Sequence, residues 1–210
     1  MNSTIQFKPY LERSLVIKEN GDIYDEYNIP VMMGWEKPLM EEQGKIICSN
    51  GGDILNIGYG MGLIDTVIET QKINSHWIIE AHPGIQKIML QQGWLKKPHV
   101  KSLFGKWQNI CPYLPKFDGI YIDTHDEYLL DFHKNVHQIM KPNGIFSFFF
   151  NPSHPTLNND VINILSKNFN IEYKSISLEH IPEIQGKDNS KMIYWDPLIK
   201  DFKFPICKLK

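Results

Sequence analysis

The feature that most constrains the fold of this chain is an alternation of short, β-rich apolar runs with longer segments of helical spacing. The predicted strands are Asp53–Ile57, His76–Glu80, Val100–Phe104, Phe117–Asp123 and Gly144–Phe150. The predicted helices between them are Leu63–Lys72, Pro83–Trp94 and Tyr128–Met140. Because strands that alternate with helices form mainly parallel sheets with helices on their faces, an α/β domain is expected.

The two ends of the chain depart from this alternation. A helix is predicted over Thr156–Asn168, followed by two β-rich runs, Ile171–Ile181 and Lys191–Trp195. Two consecutive strands after a set of βα units favour a hairpin, which places an antiparallel strand in the sheet. At the other end, residues 1–30 are predicted to be a lid or edge segment. A single domain is predicted over residues 31–210.

The composition excludes several classes of protein. Hydrophobic residues are 42% of the 210 residues and charged residues 22%, which excludes a disordered or fibrous chain. The apolar runs are far shorter than the roughly 18 residues of a membrane span, and no secretory leader is seen. A cytoplasmic protein without a membrane partner is therefore expected. The net charge of -2 gives no reason to expect a nucleic-acid partner, and the oligomeric state stays open.

Cysteines and histidines give no signature of a disulfide framework or a metal site. Cys48, Cys111 and Cys207 are odd in number and far apart. His133 and His137 share one face of a predicted helix, but no third ligand or H-E-x-x-H pattern accompanies them. We therefore predict no metal site.

A glycine-rich turn follows the first strand of the alternation. Asp53–Ile57 leads directly into Gly58-Tyr59-Gly60-Met61-Gly62, and a helix is predicted to begin at Leu63. Glycines at this place allow the backbone to approach a ligand closely. Glu80 ends the next strand, 20 residues after Gly60, where a carboxylate accepts hydrogen bonds from ribose hydroxyls. The combination predicts a site for an adenosine-containing ligand.

The spacing of the glycines bears on which ligand this is. The pyrophosphate fingerprint G-x-G-x-x-G requires a third glycine at position 63, where this chain has Leu63. NAD is therefore disfavoured. A glycine turn without that fingerprint, followed by an acid that closes the second strand, suits S-adenosylmethionine, which has no phosphate.

Two acids are candidates for chemistry. Asp123 closes the fourth predicted strand, and the carboxyl ends of parallel strands line the ligand crevice of an open α/β sheet. Glu36 lies in an apolar run, Val31–Met40, just before a helix that Pro38 is suited to begin. On composition, Glu36 also fits a solvated first-turn carboxylate, so its role stays open at this point.

Five motifs, in the same order, resemble the guanidino N-methyltransferase family. They are Val31–Met40, Ile54–Asp65, His76–Pro83, Gly105–Gln108 and Phe117–Thr124. This family includes guanidinoacetate methyltransferase and the fungal type IV protein arginine methyltransferase, which acts on the δ nitrogen. The resemblance is closer to the second member and includes the tail Tyr194-Trp-Asp-Pro and Pro205-Ile-Cys. It implies a Rossmann-like class I S-adenosylmethionine-dependent methyltransferase fold over residues 31–210.

The resemblance also implies roles for individual residues. Those that fall where such enzymes hold S-adenosylmethionine are Met32, Met40, Gly58, Tyr59, Gly60, Met61, Gly62, Leu63, Glu80, Ala81, His82, Gly105, Lys106 and Asp123. Glu36 and Asp123 fall on the two catalytic carboxylates that bind the guanidinium. Asn151 and Ser153 fall in the segment that binds the acceptor, but Pro152 between them removes one N–H donor.

Three functions are compared. The first is methylation of arginine or a small arginine-like guanidine, and the second is methylation of arginine in a peptide or protein. The third is a nucleotide-binding module or NAD oxidoreductase without methyl transfer. The sequence separates the third from the others better than it separates the first two.

Overall fold

A computed structural model gives the structure of residues 7–125, 129–150, 155–179 and 200–210. The strands in these ranges are β1 (Leu15–Ile17), β2 (Ile23–Asp25), β3 (Pro30–Met32), β4 (Asp53–Ile57), β5 (Ser75–Glu80), β6 (Val100–Phe104), β7 (Phe117–Ile122), β8 (Met140–Phe148), β9 (Phe169–Ser177) and β10 (Asp201–Leu209). The α-helices are α1 (Lys37–Ile47), α2 (Leu63–Ile68), α3 (Pro83–Gln91), α4 (Trp107–Ile110), α5 (Leu129–Asn135) and α6 (Pro155–Leu165).

Seven of the described strands form one sheet in the order β6-β5-β4-β7-β8-β10-β9. The neighbours from β6 to β8 are parallel, whereas β10 is antiparallel to both β8 and β9. The predicted architecture, a mainly parallel sheet that ends in an antiparallel hairpin, is confirmed. The strand order reverses at β4, so the crevice between the carboxyl ends of β4 and β7 is the expected place for a ligand.

The core lies on both faces of this sheet. On one face, Phe146 and Ile120 pack with the buried side chains of α5 and α6, including Phe132 and Leu165. On the other face, Ile54, Tyr121 and Ile145 pack with α1 and α2. This explains why the central strands read as nearly continuous apolar runs. No helix within the described ranges is long and apolar enough to cross a membrane.

The hairpin uses a different second strand from the one predicted. β9 pairs along its whole length with β10, from Phe169 opposite Leu209 to Ser177 opposite Asp201. Lys191–Trp195, the run predicted as the second strand, lies outside the described residues. Pro205 is within β10 and removes one backbone donor, which weakens the strand signal of this segment in the sequence.

Several predicted boundaries were wrong for local reasons. The helix predicted to reach Met140 ends at Asn135 and continues as a 3-10 turn, and Met140 already begins β8. The strand predicted to begin at Gly144 begins at Met140 and includes an irregularity, since Asn143 has φ 63° and lies where the pairing of β7 with β8 shifts register. α3 ends at Gln91 because Gly93, at φ 78°, starts a separate 3-10 turn at Trp94.

The N-terminal part of the chain forms a small antiparallel sheet, in the order β1-β2-β3, within residues 7–125. It contacts the large sheet's ligand edge, since the Leu15 side chain lies beside Gly84 at the start of α3. Arg13 pairs with the buried Asp25 at 2.9 Å and ties this segment together. β3 spans residues 30–32, so the small sheet includes residues on both sides of the boundary predicted at residue 30. The lid role of residues 1–30 stays a prediction.

Candidate active site

The glycine loop connects β4 to α2 at the carboxyl edge of the sheet. Gly58, Gly60 and Gly62 have φ values of 94°, 55° and 70°, a region that side-chain-bearing residues rarely adopt. A β-carbon at Gly62 would lie 2.4 Å from the hydroxyl of Tyr59, and one at Gly60 would lie 3.3 Å from the sulfur of Met32. The loop is therefore a tight turn whose shape requires glycine.

Glu80 holds this loop to the end of β5. Its Oε2 accepts a hydrogen bond from the backbone N–H of Tyr59 at 2.9 Å, and its Oε1 accepts one from the N–H of His82 at 2.6 Å. Burial raises the pKa of Glu80 from its ordinary value, against the lowering effect of these hydrogen bonds. The N–H groups of Ala81 and Gly60 also lower this pKa, so the backbone of the glycine loop and of the segment after β5 surrounds this carboxylate. Contact of Glu80 with a ribose stays a prediction.

Asp123 follows β7 directly and touches the glycine loop through its backbone. A β-carbon at Gly58 would lie 1.9 Å from the carbonyl oxygen of Asp123. The N–H of Asp123 donates to the carbonyl of Ile57 at 3.0 Å, which fixes the end of β7 against β4. Burial raises the pKa of Asp123 to about 6. This brings the carboxyl group closer to neutral pH than an ordinary aspartate.

Glu36 is buried, with 4% of its surface exposed, in a 3-10 turn before α1. Its Oε1 accepts a hydrogen bond from the N–H of Met33 at 3.0 Å. A solvated first-turn carboxylate, the alternative left open by the sequence, does not describe this environment. A carboxylate held inside the fold in this way is suited to a charge-assisted contact with a cationic acceptor.

Tyr121 is a buried residue on which the charges of both carboxylates act. Burial raises the pKa of Tyr121 well above its ordinary value, and the negative charges of Asp123 and Glu36 add to that effect. Both carboxylates are therefore within electrostatic range of one buried hydroxyl. That hydroxyl donates to the sulfur of Met40 at 3.5 Å and accepts from Nε2 of Gln43 at 3.2 Å, both on α1. The two elements that supply the carboxylates are thus joined at Tyr121.

Tyr121 and Gln43 are site residues that the sequence analysis did not find. A signal for Tyr121 was present, because it lies two residues before Asp123 and side chains two apart on a strand share a face. Gln43 gave no such signal, since a glutamine on an amphipathic helix ordinarily faces solvent.

Tyr10 is a third residue that the sequence analysis missed. Its ring lies 4.8 Å from the ring of His82 and 4.6 Å from that of His125. Burial raises its pKa, and the charges of Glu80 and Asp123 contribute to the rise. Tyr10 therefore covers the crevice between the ends of β5 and β7. It belongs to the part of the sequence without an α/β pattern, where nothing distinguished it.

The remaining predicted cofactor residues are spread along the same edge. Ala81 and His82 follow β5, and Gly105, after β6, donates its N–H to the carbonyl of Glu80 at 2.9 Å. Lys106 precedes α4, and Leu63 begins α2 and packs on the core. Met61 lies beside Gly21 of the small sheet. The structure thus gathers the predicted residues at one edge, although contact of each with a ligand stays a prediction.

Two predicted substrate residues, Asn151 and Ser153, lie outside the described residues. Within the described ranges, no group of three or more His, Cys, Asp or Glu side chains is arranged to hold a metal ion. His133 is buried among Phe132, Phe146 and Phe148, and burial lowers its pKa to about 4. Its side chain therefore packs in the core.

The crevice fits a nucleoside such as the adenosine of S-adenosylmethionine. The lack of a side chain at Gly58 lets Asp123 and Thr124 lie directly against the glycine loop. The Oγ1 of Thr124 is buried and has no hydrogen-bond partner in the described part of the chain. A buried polar atom without a partner is costly, and a polar ligand group would satisfy it.

Comparison with known proteins places the chain in a family. The model of the guanidinoacetate N-methyltransferase family matches residues 19–170. "Protein arginine N-methyltransferase 2" of Yarrowia lipolytica is 32% identical over 94% of this chain and 46% of that protein. The protein of the same name from Saccharomyces cerevisiae is 40% identical over 67% of this chain and 37% of that protein. The chain thus spans about half the length of these relatives, or less.

Solved structures show the same fold at low sequence identity. Spermidine synthase from Thermotoga maritima has a TM-score of 0.65 at 12% identity and covers 93% of this chain and 68% of that one. The N-methyltransferase NodS from Bradyrhizobium japonicum, in complex with S-adenosyl-L-homocysteine, has a TM-score of 0.57 at 14% identity and covers 84% and 88%. The fold is that of the class I S-adenosylmethionine-dependent methyltransferases. Together with the family match over most of its length, this shows that the chain belongs to the guanidinoacetate N-methyltransferase family.

Proposed function

We propose that this protein transfers a methyl group from S-adenosylmethionine to a guanidino nitrogen of arginine or a small arginine-like guanidine. The observation that carries the proposal is the pair formed by the buried Glu36 and the partly buried Asp123, whose charges both act on Tyr121 beside the glycine loop. Two carboxylates can accept hydrogen bonds from two edges of one planar cation, and the guanidinium group is planar with five N–H donors. Family membership supports the same chemistry.

The reaction requires a base in contact with the acceptor. A guanidinium has a pKa above about 12, so removing its proton beforehand at pH 7 would cost about 7 kcal/mol or more. A carboxylate beside the reacting nitrogen avoids this cost, because it takes the proton as that nitrogen is alkylated and becomes acidic. Asp123 is the proposed base. Since its pKa is about 6, it is mostly ionised at pH 7 yet more basic than an ordinary aspartate.

Glu36 has a different role in this proposal. It accepts hydrogen bonds from another edge of the guanidinium and so orients the reacting nitrogen. The hydrogen bond from the Met33 N–H holds the Glu36 carboxylate in place. A carboxylate that is already fixed loses little further entropy when the acceptor binds.

S-adenosylmethionine would be held by the glycine loop and Glu80, and when bound it supplies an electrophilic methyl group on sulfur. The chain's own part is to orient and enclose. Glu80 accepts the Tyr59 N–H, and Tyr10 covers the crevice from the 3-10 turn before β1. The arrangement at position 63 favours this ligand over NAD, because Leu63 packs on the core where a third glycine would be needed.

Arginine in a peptide or protein is the second candidate acceptor. The names of the relatives at 32% and 40% identity favour it. Those relatives are about twice as long as the matched region or longer, so their acceptors are not carried over to this chain by similarity.

The test is incubation with methyl-labelled S-adenosylmethionine and a panel of acceptors. The panel contains arginine, agmatine, guanidinoacetate and arginine-containing peptides, with lysine as a control cation of different geometry. The expected result is label on one or more guanidines and none on lysine. Tight binding of NAD without binding of S-adenosylmethionine would overturn the cofactor, and absence of label on every guanidine would overturn the reaction. Label on peptides alone would select the second candidate.

A further inference from the structure

His76 is a fully buried histidine that lies between two carboxylates. Its Nε2 is 3.0 Å from Oδ1 of Asp65, and its Nδ1 is 3.0 Å from Oε1 of Glu69. Its own exposure and that of Asp65 are 0%. Asp65 and Glu69 are four residues apart on α2 and the residue that follows it, so they face the same way. None of these residues belongs to the site described above.

The geometry favours the charged imidazolium. Carboxylates are acceptors, so both ring nitrogens have to donate to satisfy both contacts. Burial disfavours the charged ring, but the hydrogen bonds to Asp65 and Glu69 outweigh it, and the pKa of His76 is raised above its ordinary value. Three buried or partly buried groups thus form an alternating row of charges.

This row leads to the glycine loop through Asn56. The Nδ2 of Asn56 donates to both carboxylate oxygens of Asp65, each at 2.9 Å, and to the carbonyl of Gly58 at 3.0 Å. The Oδ1 of Asn56 is buried without a hydrogen-bond partner in the described residues. An unsatisfied acceptor is unfavourable. The amide keeps this orientation because its Nδ2 donates to two acceptors, the negative Asp65 carboxylate and the Gly58 carbonyl.

Gly58 contacts both the end of β5 and the backbone of the proposed base. Its α-carbon abuts the Asp123 backbone, and its N–H donates to the carbonyl of Ile79 at 2.9 Å. A change in the Asn56 contact therefore bears on the loop and on the proposed base together.

We infer that His76 is a positioning residue for cofactor binding, whose positive charge orients Asp65 and Asn56 and thereby holds Gly58 in the conformation that binds the nucleoside. When His76 loses its proton, Asp65 loses the positive charge that faces it, and the Asp65–Asn56–Gly58 contacts weaken. Cofactor affinity then depends on a residue that does not touch the cofactor. The inference rests on the proposed function only for the identity of the ligand.

Other charged groups face the same cluster. Lys97 donates to Oε2 of Glu69 at 2.9 Å, and His99 Nε2 lies 3.0 Å from the same oxygen. Both come from the segment before β6, and the ring of Trp94 packs edge-on to His76. Lys97 and His99 act on Glu69 and do not contact Asp65, which makes His99 a matched control for His76.

The test measures the Kd of S-adenosylhomocysteine by calorimetry between pH 6 and 9 for the wild type, His76→Gln and His99→Gln. The ratio of variant to wild-type Kd cancels titration of the ligand's own groups. For His76→Gln the ratio is expected to be roughly 10 at pH 6 and to approach 1 as the wild-type His76 loses its proton. For His99→Gln it stays near 1 throughout. A His76→Gln ratio that is constant with pH, or equal to 1, overturns the inference.

A second measurement uses the wild type alone, in case His76→Gln does not fold. The His76 ring is titrated by NMR on histidine-labelled protein with and without S-adenosylhomocysteine. Because linkage is reciprocal, a tenfold preference of the ligand for the charged form raises the His76 pKa by about one unit on binding. The same pKa in both states overturns the inference. If the wild type does not bind the ligand at all, it is the proposed function that fails.

Discussion

The α-carbon of Gly58 faces the backbone of Asp123 so closely that a β-carbon there would lie 1.9 Å from the Asp123 carbonyl oxygen. The cofactor loop and the proposed base are therefore positioned by one contact. It depends on the absence of a side chain at one residue.

Gly58→Ala is expected to abolish cofactor binding and to lower stability by more than the roughly 1–2 kcal/mol of a left-handed alanine, because it also displaces Asp123. The matched control is Gly93→Ala, at φ 78° with nothing within 4 Å of its β-carbon. Calorimetry with S-adenosylhomocysteine and urea unfolding compare the two. Equal effects of both variants would contradict the prediction.

Glu80→Gln tests the ribose acceptor. Glutamine keeps the size of the side chain but brings an NH₂ group against the N–H of Tyr59 or His82, where the carboxylate now accepts from both. The Kd of S-adenosylhomocysteine is expected to rise about 10- to 100-fold, corresponding to about 1–3 kcal/mol. Glu172→Gln, an exposed acid paired with Lys208, should leave the Kd unchanged. Wild-type affinity in Glu80→Gln would remove Glu80 from the site.

The central strands were predictable because they are buried on both faces. Asp53–Ile57 was predicted to the residue, since a buried apolar run that glycine follows defines its own end. Val100–Phe104, at the edge of the sheet, was also predicted to the residue, although it is only partly buried. β10 was not predicted, because Pro205 interrupts its pattern and its pairing with β9 spans many residues of sequence. The local pattern of apolar residues does not indicate which distant strand a segment pairs with.

Candidate site residues were predictable where the residue type and its position in the strand–turn–helix pattern together indicate one function. The Gly58–Gly62 turn and the acid that closes β5 are of this kind. The tertiary contacts of Tyr10, Gln43 and His76 were not predictable, because in the sequence they are ordinary polar or aromatic residues. Their roles depend on which residues the fold brings beside them.

Glu36→Gln is expected to raise the KM for the guanidine acceptor at least tenfold, because a charge-assisted contact becomes a neutral one. The Kd of S-adenosylhomocysteine should change little. Glu41→Gln is the matched control, since Glu41 is a partly exposed acid on α1 that lies 3.9 Å from Lys37. A raised cofactor Kd with unchanged KM would assign Glu36 to the cofactor instead.

Asp123→Asn is expected to reduce single-turnover methylation by about 100-fold or more, because asparagine has the shape of the base but cannot accept the proton. In the wild type the rate should fall about tenfold per pH unit below about 6, where Asp123 becomes protonated. Asp131→Asn, at an exposed acid paired with Lys134, should leave the rate unchanged. Rapid-quench measurements at saturating cofactor decide the matter, and a wild-type rate in Asp123→Asn would rule it out as the base.

The same substitution is expected to stabilise the protein at neutral pH. The pKa of Asp123 is about 6 in the folded state and about 3.9 when unfolded, so the folded state binds more protons between these values. The contribution of Asp123 to the free energy of unfolding therefore falls as pH rises from about 4 to about 6. The difference in pKa limits this fall to about 3 kcal/mol, and the actual fall is smaller because part of the side chain faces solvent. Asparagine has no charge to desolvate. Urea unfolding should show Asp123→Asn more stable than the wild type at pH 8, and the difference should shrink toward pH 4.5. A difference that is constant with pH, or a less stable variant at pH 8, would mean that the Asp123 carboxylate does not destabilise the folded state.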